Sequence, residues 1–215
     1  MTTDNGIVIT SDSTCDLGNR LISENGIRIM PLTVMLGSKS YKDGIDITPD
    51  DIFNYFEDTG ELPKTAAPSV EDYEKFFEGI VNEGKDVIHF NISSKASGSN
   101  GFAVTAQKKF GDKVRVIDSL ALSTGQGLLV MKACDLRAEG KSSAEIESIV
   151  NDLREKVNTS FVPDTLLYLY KGGRCSTLSY YGSKVLSIHP QISMKEGQLY
   201  PKKKYIRSPR PSGLR

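Results

Sequence analysis

A loop rich in small hydroxyl residues is the stretch of this sequence best suited to binding a ligand. We call residues 93–101 the serine loop. It carries four serines and two glycines: Ser93, Ser94, Ser97, Ser99, Gly98 and Gly101. Hydroxyl groups are neutral hydrogen-bond donors, and donors of this kind can hold a carboxylate. We therefore predict that the serine loop binds the negatively charged head of a small ligand.

The segments on either side of the serine loop predict where it lies in the fold. Residues 87–92 form a short apolar run, typical of a buried parallel strand, and residues 102–107 predict the opening of a helix. A strand–loop–helix unit places its loop at the carboxyl edge of a sheet, where open α/β folds bind ligands. The helix amino end adds N–H donors and partial positive charge. Helix capping alone would equally explain Ser97 or Ser99.

Strands and helices alternate up to about residue 158. We predict strands at residues 6–10, 27–36 and 114–119, helices at 17–25 and 126–137, and helices that start after Thr48, Ser69 and Ser142. Pro31 predicts an edge position or a bend in the second strand, and residues 39–46 predict a loop. This alternation predicts an α/β fold, with a parallel sheet and helices on both faces.

Two polar turns could contribute to a site or only to the backbone. Asp12 and Asp16 follow the first strand, and we favour Asx turns that cap the helix at residues 17–25 over ligand contact. Thr65 lies in a proline-punctuated segment, residues 62–69, which predicts a stiff loop just before a helix. A surface threonine in a connection would fit the same pattern.

The pattern changes after residue 158. Residues 161–170 predict a long strand, residues 178–186 a helix, and Glu196-Gly197 the turn of an antiparallel hairpin. We therefore assign residues 1–158 to a parallel α/β domain that carries the head-group site, and residues 159–207 to a partial α+β domain. A strand, a helix and a hairpin give a thin core, so we expect the second domain to be truncated. Residues 208–215 predict a disordered or non-native tail.

Composition narrows the class of protein. Lys and Arg total 27 and balance 27 Asp and Glu, so nothing points to nucleic acid or to an anionic membrane. The three cysteines are scattered without metal-site spacing, which fits a reducing compartment. No signal peptide or membrane-spanning apolar run is visible. We expect a cytoplasmic protein without stable membrane insertion, metal or cofactor.

An ordered set of short motifs resembles the DegV family of bacterial fatty-acid-binding proteins. The matching stretches include Ser11-Asp12-Ser13, Pro63-Lys64-Thr65, Ser97-Gly98, Gly125-Gln126-Gly127 and Gly172-Gly173-Arg174. Each motif is weak alone, but together they follow the family's order over nearly the whole chain.

This resemblance implies a two-domain protein that holds one long-chain fatty acid, such as palmitate or oleate, with its tail in an apolar tunnel. The positions that match the family's carboxylate site are Thr65, Ser97 and the Gly98 amide. Ala66 stands where the family often has a serine, so one possible hydroxyl donor is missing. The resemblance also implies a fatty-acid kinase partner, which makes acyl phosphate for phospholipid synthesis. Arg174 could contact the head group or the kinase, or form an inter-domain salt bridge.

Two rival functions remain open at this point. A serine-dependent acyl hydrolase or transferase would need a base, and His89 and His189 are the only histidines. A phosphate- or nucleotide-binding domain could use the serine loop, although the loop lacks both glycine-rich phosphate signatures. The resemblance also implies a head-group histidine in the family's carboxyl-terminal part, which neither His89 nor His189 matches.

Overall fold

The fold is an assembly of three sheets and seven α-helices, seen in a computed structural model that describes residues 6–174 and 189–205. The strands are β1 (Ile7–Asp12), β2 (Arg28–Met30), β3 (Thr33–Leu36), β4 (Lys39–Lys42), β5 (Lys64–Ala66), β6 (Asp86–Asn91), β7 (Val114–Asp118), β8 (Ser160–Phe161), β9 (His189–Lys195) and β10 (Gln198–Tyr205). The helices are α1 (Asn19–Glu24), α2 (Pro49–Thr59), α3 (Val70–Val81), α4 (Ser99–Gln107), α5 (Thr124–Ala138), α6 (Ser143–Arg154) and α7 (Leu167–Gly172). The predicted helix at residues 178–186 and the predicted tail lie outside the described residues.

A four-stranded parallel sheet forms the centre of the molecule, in the order β2-β1-β6-β7. Successive side chains of a strand face opposite sides of a sheet. Val8 and Val87 accordingly pack against α3 and α4, whereas Ile9 and Ile88 belong to a second apolar cluster with α5 and α6. The predicted α/β class, with a parallel sheet and helices on both faces, is confirmed.

Reciprocal caps set the start of three helices. Thr48 with Asp51, Ser69 with Asp72, and Ser142 with Glu145 each form a capping box, in which each side chain bonds the other residue's backbone N–H. The cap hydroxyls and N–H groups lower the pKa of all three acids. The predicted starts of α2, α3 and α6 are therefore confirmed.

A small antiparallel sheet, in the order β4-β3-β5, is separate from the central sheet. The single strand predicted for residues 27–36 is wrong, because β2 and β3 lie in different sheets on either side of Pro31, although the predicted edge position of β2 is confirmed. The loop predicted at residues 39–46 is also wrong in its first half. Lys39–Lys42 is strand β4, which pairs with β3.

The carboxyl-terminal part consists of β8, α7 and the β9–β10 hairpin. The hairpin is confirmed, and its turn residues Glu196 and Gly197 both have positive φ, as a tight hairpin turn requires. The long strand predicted at residues 161–170 is wrong. Pro163 lacks the N–H that a ladder needs, and buried Leu166 leads into α7 by packing against Ile192 of the hairpin.

Candidate ligand-binding site at the carboxyl edge of the sheet

The Asp12 carboxylate is buried at the carboxyl end of β1 and joins three elements. It accepts hydrogen bonds from the Ile92 backbone N–H at 2.8 Å, from Gln126 Nε2 at 2.7 Å and from Asn91 Nδ2 at 3.2 Å. Burial raises the pKa of Asp12 above its usual value, although each of these donors opposes that shift. Asp12 thus ties β1 to the end of β6 and to the first turn of α5.

Asp12 caps a helix, as predicted, but a different helix from the one that we expect. Its carboxylate accepts the Thr14 N–H at 3.3 Å and caps a short 3-10 helix, Ser13–Cys15. Helix α1 instead follows Gly18, with no side-chain cap, so the prediction that Asp12 and Asp16 cap this helix is wrong. The sequence favours a local capping role for Asp12, with ligand contact as the alternative, and it does not reveal the hydrogen bonds with Ile92 and Gln126.

Tyr73 connects helix α3 to the same edge of the sheet. Its buried hydroxyl accepts a hydrogen bond from Asn91 Nδ2 at 2.9 Å and lies close to the Ser99 side chain. Burial is the largest effect on Tyr73 and raises the pKa of its phenol. Because Tyr73 lies in the first turn of α3, it draws the start of this helix, and with it the β5–α3 connection, towards the serine loop.

The serine loop has a rigid base and an accessible end. Ser93 is buried, its N–H donates to Ala121 O at 2.8 Å, and its hydroxyl donates to Gly197 O at 2.7 Å. Ser97 is half-buried, and its hydroxyl accepts the Ser99 N–H at 3.2 Å, while Gly98 is exposed just before α4. Of the four serines, Ser93 is thus bonded within the protein, whereas Ser97 lies where a ligand can reach it.

Thr65 and Ala66 lie on strand β5 and not on the stiff loop that we predicted. Thr65 is opposite Val34 of β3, and both Thr65 and Ala66 are exposed. An exposed position leaves the Thr65 hydroxyl accessible to a ligand or a partner. The convergence of Thr65 and Ser97 on one carboxyl group stays a prediction.

Arg174 lies beside the serine loop, at a cavity of about 210 Å³. The lining residues are Lys95, Ala96, Gly173, Arg174, Gly197, Gln198 and Leu199. Gly173 has a φ of 70° and ends α7, and the Arg174 guanidinium then turns back to donate to Gly172 O at 2.5 Å. The lining includes two basic side chains and, among the described residues, no acidic one, so this cavity suits an anion.

A larger cavity, of about 570 Å³, lies at the opposite edge of the sheet. Its lining includes Ile7 at the start of β1, together with Asn25 and Arg137. The Arg137 guanidinium has a structural role there, because it donates a hydrogen bond to Asn25 O at 2.6 Å. Ligands of open α/β sheets bind at the carboxyl edge, so we place the site at the serine loop despite the size of this cavity.

His89 is not placed to serve as a catalytic base for the serine loop. It is fully buried in β6, its Nδ1 is 2.8 Å from the Thr10 hydroxyl, and its ring contacts Phe77 and Tyr73. Burial lowers the pKa of His89 to about 3. The histidine that a serine hydrolase would need is therefore not supplied by His89.

Comparisons with known proteins identify the class of molecule to which this fold belongs. A solved DegV family protein from Thermus thermophilus, described by its fatty acid binding, superposes with a TM-score of 0.85 at 31% identity, covering 94% of this chain and 72% of that one. A stearic acid-binding protein from Eubacterium ventriosum gives 0.80 at 30% identity, covering 93% and 70%. The fold is thus shared with α/β proteins that are described by their binding of fatty acids.

The sequence comparisons agree. The model of an uncharacterised protein family, DegV, matches residues 6–209. A DegV domain-containing protein from Caldanaerobacter subterraneus is 34% identical over 194 residues, which are 90% of this chain and 69% of that protein. This chain belongs to the DegV family.

Proposed function

We propose that this protein binds a long-chain fatty acid, such as palmitate or oleate, with its carboxylate at Ser97, Gly98 and Thr65. We further propose that it acts in the cytoplasm as a carrier and not as an enzyme. It presents the carboxylate to a fatty-acid kinase, which makes acyl phosphate for phospholipid synthesis. Neither nucleic acid nor membrane insertion enters this function; across residues 6–174 and 189–205, no helix has the length and apolarity to cross a bilayer.

The hydrogen-bond donors in the first turn of helix α4 are the main support for the proposal. The first turn of a helix leaves N–H groups without intrahelical partners, and here the cap residue Gly98 offers no side-chain cap. In the same turn, the Asn100 Nδ2 atom is buried and has no hydrogen-bond partner among the described residues. Buried donors are nearly always satisfied. A carboxylate beside Ser97 would supply an acceptor for the donors of this turn other than the Ser99 N–H, which the Ser97 hydroxyl already accepts.

The charge around the serine loop supports an anionic head that a second protein can reach. Lys95 and Arg174 line the 210 Å³ cavity next to Ala96, the residue before Ser97. Exposed Gly98 leaves one side of the head open. Neutral donors and a nearby positive potential hold a carboxylate without burying it in an ion pair. We therefore assign Arg174 to the head-group region, where it contacts the ligand or the kinase.

An aromatic cluster between α2 and α7 supports an apolar tail. Tyr168 contacts Phe53 and Phe56 edge-on, with ring centroids 6.0 Å and 5.5 Å apart, and Phe53 is 50% exposed. Burial of an alkyl chain yields about 0.8 kcal/mol per methylene, or roughly a fourfold gain in affinity. The tail therefore supplies most of the binding free energy, and affinity should rise steadily from decanoate to palmitate. The tunnel that would enclose the tail stays a prediction.

Lipid extraction and mass spectrometry of the purified protein test the proposal directly. We expect a co-purified fatty acid in the wild type. Replacement of Ser97 and Thr65 together by alanine removes two hydrogen bonds to a charged group, which should lower affinity by about a hundredfold or more. Thr105→Ala is the matched control, because it removes an exposed hydroxyl that donates only to Gly101 O within α4. Equal affinity in all three proteins would refute the site.

The two roles of Arg174 can be separated with the kinase. If Arg174 contacts the ligand, Arg174→Ala lowers fatty-acid affinity measured in the absence of kinase. If Arg174 contacts the kinase, the variant binds fatty acid like the wild type but yields less acyl phosphate when the kinase and ATP are added. A variant equal to the wild type in both assays would remove Arg174 from the proposed site.

A further inference from the structure

The tip of the β9–β10 hairpin is pressed against the base of the serine loop. The buried Ser93 hydroxyl donates to Gly197 O at 2.7 Å, which joins residues 104 positions apart in the chain. A Cβ atom built on Gly197 would lie 2.5 Å from Ser93 Oγ and 3.3 Å from side-chain atoms of Leu120 and Lys95. The hairpin can approach this closely only because position 197 has no side chain.

Ser93 is also the residue that shapes the serine loop. Its backbone carbonyl accepts the N–H groups of Ala96 at 2.9 Å and Ser97 at 3.1 Å, and its hydroxyl accepts the Lys95 N–H at 3.2 Å. A shift of Ser93 would therefore shift Ser97, whose hydroxyl belongs to the proposed carboxylate site. The contact at Gly197 reaches the site through one intermediate residue.

We propose that Gly197 is a positioning residue, which holds Ser97 in its binding geometry by fixing Ser93. The hairpin thereby couples the carboxyl-terminal part of the chain to the head-group site. This inference rests on the proposed function where it concerns fatty-acid affinity. Where it concerns the shape of the serine loop, it stands without any ligand.

Gly197→Ala tests the inference, with Gly84→Ala as the matched control. Both glycines have nearly the same φ, 78° and 79°, so both substitutions place alanine in the left-handed region. A Cβ at Gly84 meets nothing within 4 Å, whereas one at Gly197 meets Ser93. The difference between the two variants therefore reports the contact with Ser93 and not the backbone strain.

Amide hydrogen exchange of the ligand-free protein gives the first readout. We expect the Ala96 and Ser97 amides to exchange at least tenfold faster in Gly197→Ala than in Gly84→Ala, while β1 and β6 remain protected in both. Equal exchange at these two amides would overturn the inference. Because no ligand is present, this result does not depend on fatty-acid binding.

Fatty-acid affinity in a double-mutant cycle gives the second readout. Gly197→Ala should weaken palmitate binding about tenfold, and the same substitution should weaken it less than threefold when Ser93→Ala has already removed the hydroxyl that it meets. A full tenfold loss in both backgrounds would show that Gly197 does not act through Ser93. If the wild type bound no fatty acid while the exchange difference held, the proposed function would fail and the positioning role would stand.

Discussion

The carboxylate of Asp12 accepts the backbone N–H of Ile92 at 2.8 Å, and this hydrogen bond joins the carboxyl ends of two neighbouring parallel strands. Ile92 is the last residue before the serine loop. Asp12 therefore fixes the point at which the loop leaves β6, just as Gly197 fixes its base. The predicted ligand site therefore adjoins a buried carboxylate that accepts hydrogen bonds from within the protein on both oxygens.

Asp12→Asn should destabilise the protein. Both carboxylate oxygens of Asp12 accept hydrogen bonds from N–H groups. In asparagine one of these oxygens is replaced by an NH2 group, which cannot accept a hydrogen bond, so at least one N–H would lose its partner. A buried polar group left without its partner costs about 1–3 kcal/mol of unfolding free energy. Urea unfolding monitored by circular dichroism measures this loss. Asp112→Asn is the control: the Asp112 side chain is fully exposed, and its ion pair with Arg115, at 3.8 Å, contributes little in solvent, so this variant should unfold like the wild type. Equal midpoints for both variants would contradict the prediction.

Local sequence signals predicted much of the fold. The capping boxes at Thr48, Ser69 and Ser142 act over three residues, so their helix starts could be read directly from the chain. Glu196-Gly197 likewise sets its own hairpin through a backbone conformation that favours glycine. These features depend on neighbours in the sequence and not on the tertiary structure.

Features that depend on distant residues could not be predicted in the same way. Asp12 has a complete local role as a cap, and nothing near it in the chain points to Ile92 or Gln126. Tyr73 fits the apolar face of α3, although a buried tyrosine hydroxyl signals a partner that must be found elsewhere. Residues 167–172 are rich in strand-forming types but form α7, which follows directly on Leu166, a residue packed against the hairpin. Tertiary packing decided each of these cases.

The backbone at Cys15 lies so close to Gly127 of α5 that we expect Gly127→Ala to destabilise the protein. A Cβ on Gly127 in α5 would lie 2.7 Å from the Cys15 carbonyl oxygen and 3.1 Å from Leu17. The obstructing atom is backbone, so α5 would have to move, at a cost of about 1–3 kcal/mol. Gly101→Ala in α4 is the control: its Cβ meets nothing within 4 Å, and alanine is favoured over glycine in a helix. Thermal unfolding should rank Gly127→Ala below the wild type and Gly101→Ala at or above it.

Burial of His89 makes stability depend on pH below about 6.5. The pKa of His89 is lowered to about 3 in the folded protein, whereas an unfolded histidine titrates near 6.5. Between these values the unfolded chain binds a proton that the folded protein does not. Acid therefore favours unfolding, and the contribution of His89 to stability falls by about 1.4 kcal/mol for each pH unit below about 6.

His89→Leu isolates this contribution, because leucine is of similar bulk and does not titrate. The variant loses the contact with Thr10 at every pH, so its absolute stability is not the test. The test is the difference in unfolding free energy between the wild type and the variant, measured by urea titration from pH 7.5 to 4.5. Contributions from carboxylates common to both proteins cancel in that difference. We expect this difference to be constant above pH 7 and the wild type to lose stability relative to the variant below pH 6. A difference that stays constant down to pH 4.5 would contradict the prediction, because it would mean that the folded protein takes up a proton at His89 as readily as the unfolded chain does.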